Sequence, residues 1–218
     1  MNAKILVDNG SLLLQGFITT LEISAAALVL AFALGTLVAS LRVAPAAPLR
    51  AVGTAYVEII RNVPLLVQIF FFYFALPPVG LRFPAFVCGV LGIGIYHGAF
   101  IAEAIRSGIL SIHRGQLEAA TASGMGYGLA MRLVILPQAF RAVIPPLGNQ
   151  TINLIKNSSL VSTIAVFDIL HAADSIGSQT FAYTTAYLGA ALLYLVLTLP
   201  SAFGVNALER RLAIPIGR

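Results

Sequence analysis

The sequence predicts an all-α integral membrane protein of five transmembrane helices, with the N-terminus outside and the C-terminus cytoplasmic. Three observations lead there. Of 218 residues, 59% are hydrophobic and only 10% are charged, with a mean hydropathy of +0.93; an average soluble domain carries about 25% charged residues. Long charge-free runs recur along the chain, several of them long enough to cross a hydrocarbon core of roughly 30 Å at about 1.5 Å per helical residue. The 13 basic residues are distributed unevenly about those runs.

The first run, Ile23 to Leu41, anchors a span that begins near Leu12. No basic segment followed by a short apolar stretch and a small-residue cleavage site opens the chain, so this span is expected to be retained. Arg42 to Val52, with Pro45 and Pro48, reads as an inner connection, and Val63 to Leu81 as the second span. Pro77, Pro78, Gly80 and Pro84 predict a tight outer turn. The third span is Phe83 to Ala102; the fourth runs from Ala142 to Phe167 if Lys156 is tolerated, and the fifth lies within Ser175 to Leu208.

With this topology the inner side receives Arg42, Arg50, Arg106, Arg114, Arg132, Arg141, Arg210, Arg211 and Arg218. Only Lys4 and Arg82 fall outside, and Arg61 and Lys156 lie within spans. Basic residues favour the cytoplasmic side, which selects this orientation over its inverse. The formal charge of +5 is therefore a topology signal, and no nucleic-acid partner is expected. Residues 107–141 form a long inner segment within a single domain of residues 1–218. A loop of that length implies short helices. The outer segment Asp168 to Tyr183 is polar and net acidic. The single cysteine, Cys88, excludes an intrachain disulfide, and the dispersed His97, His113 and His171 give no convincing metal site.

Charge inside a span is costly and marks candidate site residues. Asn149, Asn153 and Lys156 fall at i, i+4 and i+7, one face of a helix, with Asn157, Ser158 and Ser159 following. That polar stripe suits the wall of a wet path; hydrogen-bonded glue between helices is the competing reading. Glu58 and Arg61 are spaced for a local ion pair, as are Glu103 and Arg106, where a gating role competes. Arg61-Asn62-Val63-Pro64-Leu65 is echoed by Lys156-Asn157-Ser158-Ser159-Leu160. His97, between Gly94 and Gly98, reads as tight helix packing. The glycines at 124, 126 and 128 lack the preceding strand and Gly-Lys-Ser/Thr ending of a phosphate loop.

In the inner segment, Glu118-Ala119-Ala120, Gly124 and, nine residues later, Val134-Ile135-Leu136-Pro137 resemble the EAA signature of ABC importer permeases, with Val134 at a position usually Ile. Arg61 to Leu65, Phe100 to Ile109, Gly115-Gln116 and Lys156 to Leu160 are similar to the subfamily that imports polar amino acids. The resemblance covers nearly the whole chain. It implies a type I, MetI-like importer permease in the bacterial inner membrane, forming half of a pore with an identical or similar subunit. Glu118, Ala119, Ala120, Gly124, Leu136 and Pro137 would couple it to a cytoplasmic ATPase dimer that holds ATP and magnesium, leaving this chain without a cofactor and not itself an enzyme. Glu118 with its two alanines would start the coupling helix. An extracytoplasmic solute-binding protein would dock on the Pro77 to Pro84 turn and the Asp168 to Tyr183 segment. The resemblance also puts the amino-acid substrate near Arg61, Asn62, Val63, Leu65, Asn153, Lys156, Asn157, Ser158 and Ser159. Two rivals are a proton-coupled secondary transporter, which usually has more spans, and an intramembrane hydrolase. The hydrolase needs Gly-x-Ser-x-Gly or His-Glu-x-x-His, and neither occurs.

Overall fold

The computed structural model describes residues 3–212 and is helical throughout, with no strand among the described residues. Arg218, counted above with the inner basic residues, lies outside them. After the short α1 (Ala3–Asp8), α2 (Gly10–Arg42) is the first long apolar helix, beginning at Gly10 rather than near Leu12. Four helical runs qualify as spans by length and composition, and a bent pair makes five if its two helices count as one span.

The second span departs from a simple rod. α3 (Ala47–Asn62) and α4 (Leu65–Phe70) meet at Val63-Pro64 with a bend of 103°. Since α3 starts at Ala47, the connection from α2 is only residues 43–46, shorter than the expected 42–52. Pro64 lacks the N–H that would bond the carbonyl of Ile60, so the chain turns there. The freed backbone groups need partners, because lipid supplies none. Gln68 provides them: its Nε2 donates to the Ile60 carbonyl at 2.9 Å and to the Val63 carbonyl at 3.0 Å. After α4 the helix loosens into a π turn over Phe71–Ala75 and a 3-10 turn over Pro77–Val79. Gly80, at φ +91°, completes the expected tight turn.

α5 (Ala85–Leu110) is the third span and packs most extensively on α2. Their contact is built from small residues. A Cβ on Gly35 of α2 would sit 2.8 Å from Cβ of Ile101 and 3.0 Å from the Gly98 carbonyl oxygen. Close approach of this kind suits a bilayer, where dispersion and shape, rather than the hydrophobic effect, hold helices together. Ile23, Ala27, Ala31, Ile93 and Ile101 are fully buried along the seam, joined by Ile69 of α4.

Residues 107–141 are not one loop. α5 continues to Leu110, α6 (Arg114–Ala122) follows with His113 as its cap, and Gly124 turns the chain at φ +84°. Helical structure then resumes through α7 (Tyr127–Ala130), a π turn at Met131–Ile135 and α8 (Leu136–Asn157), followed by a 3-10 segment, Ser158–Ile164. The run from Tyr127 to Ile164 qualifies as one span.

The segment after Asp168, read as a polar outer loop, is largely the helix α9 (Ile169–Thr180). It buries Ile169, Ala172, Ala173 and Ile176 against α2 and α10 (Tyr183–Leu212). Asp168 is itself fully buried. Its carboxylate accepts the His171 N–H at 2.9 Å and the Tyr194 hydroxyl at 3.1 Å, while burial pushes the carboxyl above its ordinary pKa. Thr20 of α2 accepts the Ile169 N–H at 3.1 Å, fastening α9 to the first span. Asp174, Ser178 and Gln179 remain exposed.

Two stability outcomes follow. Gly35→Leu should lower thermal stability of the detergent-purified protein by about 1–3 kcal/mol, because Ile101 and the Gly98 backbone leave no room. Gln68→Leu should cost about 2 kcal/mol, since it leaves the Ile60 and Val63 carbonyls without donors. Thermal melts read both.

Candidate functional site

The polar residues of α8 converge on α5. Gln150, Asn153, Lys156 and Asn157 of α8 face Tyr96, His97 and Phe100 of α5 around an open cavity of 340 Å³. Gln150, Asn153 and Asn157 recur at i, i+3 and i+7, so they share a helix face. The expected stripe is shifted: Asn153 and Lys156 line the cavity, Asn149 does not, and Gln150 takes its place. His97, read from its flanking glycines as a packing residue, bridges two members of that face. Its Nδ1 lies 3.2 Å from Oε1 of Gln150 and its Nε2 3.1 Å from Nδ2 of Asn157.

Arg61, at the end of α3, reaches the same region from the other side. Its guanidinium carbon lies 5.0 Å from the centroid of the Phe100 ring, a cation–π arrangement that links the broken second span to the cavity wall. The expected ion pair between Glu58 and Arg61 does not form among the described residues, and both side chains are exposed. Asn62 turns back to donate to the Glu58 carbonyl at 2.7 Å. Arg61, Asn62, Val63, Leu65, Ser158 and Ser159 stand outside the cavity lining. Leu65 is in the core. Ser158 and Ser159 donate to the carbonyls of Ile155 and Lys156, both at 2.8 Å, which ties off the end of α8 as it tightens into the 3-10 turn. The echo between residues 61–65 and 156–160 thus falls at one helix break and at one passage from α to 3-10 geometry.

A second polar cluster sits at the far end of α5. Glu103 accepts from Arg106 through Oε1 at 2.5 Å, as the i, i+3 spacing predicts, and also from Arg42 at the end of α2. That second pairing, 61 residues apart in sequence, is invisible to local spacing. The Arg42 side chain is 7% exposed, against 28% for Arg106. The triad therefore closes the α2–α5 seam with charge.

The EAA residues occupy α6 and its exit. Glu118 and Ala119 are exposed, Ala120 is buried, and all three lie in the middle of α6. The helix starts four residues earlier than expected, at Arg114, where His113 Nδ1 accepts the Gly115 N–H at 3.1 Å. Gly124 adopts the left-handed conformation that a Cβ disfavours. Leu136 is exposed, and Pro137 sits in the first turn of α8, where its missing N–H does no harm.

Residues 31–214 match the family of binding-protein-dependent transport system inner membrane components. The chain belongs to this family. A probable glutamine ABC transporter permease protein, GlnM, of Bacillus subtilis (strain 168) is 51% identical over 212 residues, covering 97% of this chain and 98% of the relative. A crystal structure of an amino acid ABC transporter with histidines superposes with a TM-score of 0.90 at 37% identity, over 94% of this chain and 96% of the other. An inward-facing structure of the MetNI methionine ABC transporter shares the fold, with a TM-score of 0.76 at 21% identity over 93% of this chain and 97% of the other.

The chain is thus a multi-pass transport subunit of MetI-like fold, and its family works with an ATPase and a binding protein. In this permease, the residues that sequence reasoning missed or misjudged are Tyr96, His97, Phe100, Gln150 and Arg42. Phe100 stood inside a quoted motif; Tyr96 had no polar or spacing signal to separate it from lipid-facing aromatics. The charge triad has an ordered outcome. Glu103→Ala should destabilise the permease by about 3 kcal/mol, leaving Arg42 buried without a partner. Arg106→Ala should cost less than about 1 kcal/mol, because the Arg42–Glu103 pair survives. Thermal melts of the two purified variants test the order.

Proposed function

We propose that this permease forms half of an amino-acid import pore with a second copy or a similar subunit, and that its substrate is a polar amino acid, glutamine first. The observation that carries this reading is the chemistry of the cavity. A cation, Lys156, stands beside three carboxamides, Gln150, Asn153 and Asn157, and among the described residues no carboxylate lines it. An α-carboxylate finds a donor in Lys156, an ammonium or amide finds acceptors in the carboxamide oxygens, and a cationic side chain finds no counter-charge; Arg61, outside the lining, lies against the Phe100 ring. The likeness to a probable glutamine permease supports the same choice. Asn62, Val63, Leu65, Ser158 and Ser159 would act by shaping the helix break and the 3-10 passage that present Arg61 and Asn157.

In this reading α6 is the coupling helix, with the N-terminus of the chain outside. Exposed Glu118 and Ala119 face a cytoplasmic ATPase dimer that binds ATP and magnesium, and this chain hydrolyses nothing. Gly124 lets α6 leave at a sharp angle, and Leu136 with Pro137 seats the return into α8. The exposed Val79 and Leu81 of the proline turn, with Phe181 beyond α9, supply a surface for a solute-binding protein.

Uptake by proteoliposomes holding the permease with its ATPase and binding protein tests the whole. Glutamine should be taken up with ATP hydrolysis, and uptake that proceeds without ATP would return the secondary-transporter reading. Glu118→Lys or Gly124→Val should leave the protein inserted while abolishing substrate-stimulated hydrolysis. Asn157→Asp should shift the preference about tenfold toward a cationic amino acid, as one added carboxylate supplies the missing counter-charge.

A further inference from the structure

His97 is 2% exposed, lies within a span, and is hydrogen-bonded at both ring nitrogens to α8 residues that line the cavity. A neutral imidazole has one donor nitrogen and one acceptor nitrogen. At Nδ1 the partner is Oε1 of Gln150, 3.2 Å away, and a carboxamide oxygen only accepts. Nδ1 therefore carries the proton. At Nε2 the partner is Nδ2 of Asn157, 3.1 Å away, and a carboxamide nitrogen only donates. Nε2 is therefore the acceptor, and both contacts agree on one tautomer.

The consequence reaches the cavity. Asn157 has its Nδ2 committed to His97, and among the described residues nothing donates to its Oδ1. Asn157 lines the cavity, so the oxygen is the end of the amide left for an occupant. Reversing the amide would put two donors, or two acceptors, against each other unless the His97 tautomer and Gln150 reversed as well. The orientation of Asn157 is thus a property of the three residues together.

We propose that His97 is a positioning residue for specificity: through the Gln150–His97–Asn157 chain it holds Oδ1 of Asn157 toward the substrate, admitting a side chain that ends in a carboxamide and disfavouring one that ends in a carboxylate. This rests on the reading of the cavity as the amino-acid site. A carboxamide presents N–H donors to Oδ1. A carboxylate presents only lone pairs, so it makes no hydrogen bond to Oδ1 and the two acceptors repel. The glutamine-to-glutamate preference that this setting creates is about tenfold or more.

The test uses reconstituted transporter, with its ATPase and binding protein, and labelled glutamine and glutamate at saturating binding protein. His97→Gln places its terminal amide near the old Nε2 position and can still accept from Asn157. His97→Asn ends near the old Nδ1 position and loses Asn157. The expected result is a glutamine-to-glutamate ratio within about threefold of wild type in His97→Gln, and a ratio falling toward one in His97→Asn, through a rise in KM for glutamine with kcat little changed. Equal ratios in the two variants would overturn the proposal, as packing alone predicts. Nitrogen-15 spectra of histidine-labelled wild-type protein give a check that needs no variant: His97 is expected as the Nδ1–H tautomer, and the Nε2–H tautomer overturns the assignment. Asn157→Ala separates the two levels. Wild-type glutamine uptake in that variant overturns the reading of the cavity itself; lost uptake there, with an unchanged ratio in His97→Asn, overturns only the role of His97.

Discussion

The close approach of α2 and α5 is the constraint on which the rest of this permease depends. Glycines at 35 and 98 and alanines at 27 and 31 bring the two axes together, so α5 is packed along its length in one rotational setting. That setting determines what α5 offers on its other faces. Tyr96, His97 and Phe100 go to the cavity, and Glu103 goes to Arg42 at the end of the same seam. Small residues at one face of a helix thereby set the direction of its polar residues at another. In a bilayer, where burial of apolar surface gives no preference between helix and lipid, such steric fit is what makes the arrangement unique.

The two interrupted helices share a second constraint. The backbone carbonyls next to each irregularity are bonded by side chains of the same chain. Gln68 serves the carbonyls before Pro64, and Ser158 and Ser159 serve those at the end of α8. The repairs differ because the causes differ: a proline removes a donor outright, whereas a tightening into 3-10 geometry shifts the bonding register. Both irregularities deliver a charged residue, Arg61 or Lys156, to the neighbourhood of Phe100. Irregular backbone in a membrane is tolerated where it is buried in protein or lines a cavity.

Much of the architecture was legible because a membrane protein writes it in composition. Apolar runs of span length report the helices, and Pro77, Pro78 and Gly80 report their turn, since each type acts through its own backbone geometry. The i, i+3 spacing of Glu103 and Arg106 reported a real pair. The same spacing failed for Glu58 and Arg61, where the guanidinium lies over the Phe100 ring instead. Polar composition after Asp168 suggested an open loop, yet Asp168 is a buried cap whose carboxylate binds a helix N-terminus and Tyr194. A polar residue committed to a distant partner looks the same in sequence as one facing water.

By itself, then, the sequence determined the class and the family signature, since these depend on local composition and on spacings of fewer than about 20 residues. Tertiary structure alone decided which polar residues meet. His97 with Gln150 and Asn157, and Arg42 with Glu103, are separated by 53 to 61 positions. Their pairing depends on the rotation and offset of whole helices, such as the fit of Gly35 against Ile101, rather than on any spacing within one element. Helix periodicity tells which residues share a face; only packing tells which faces share a cavity.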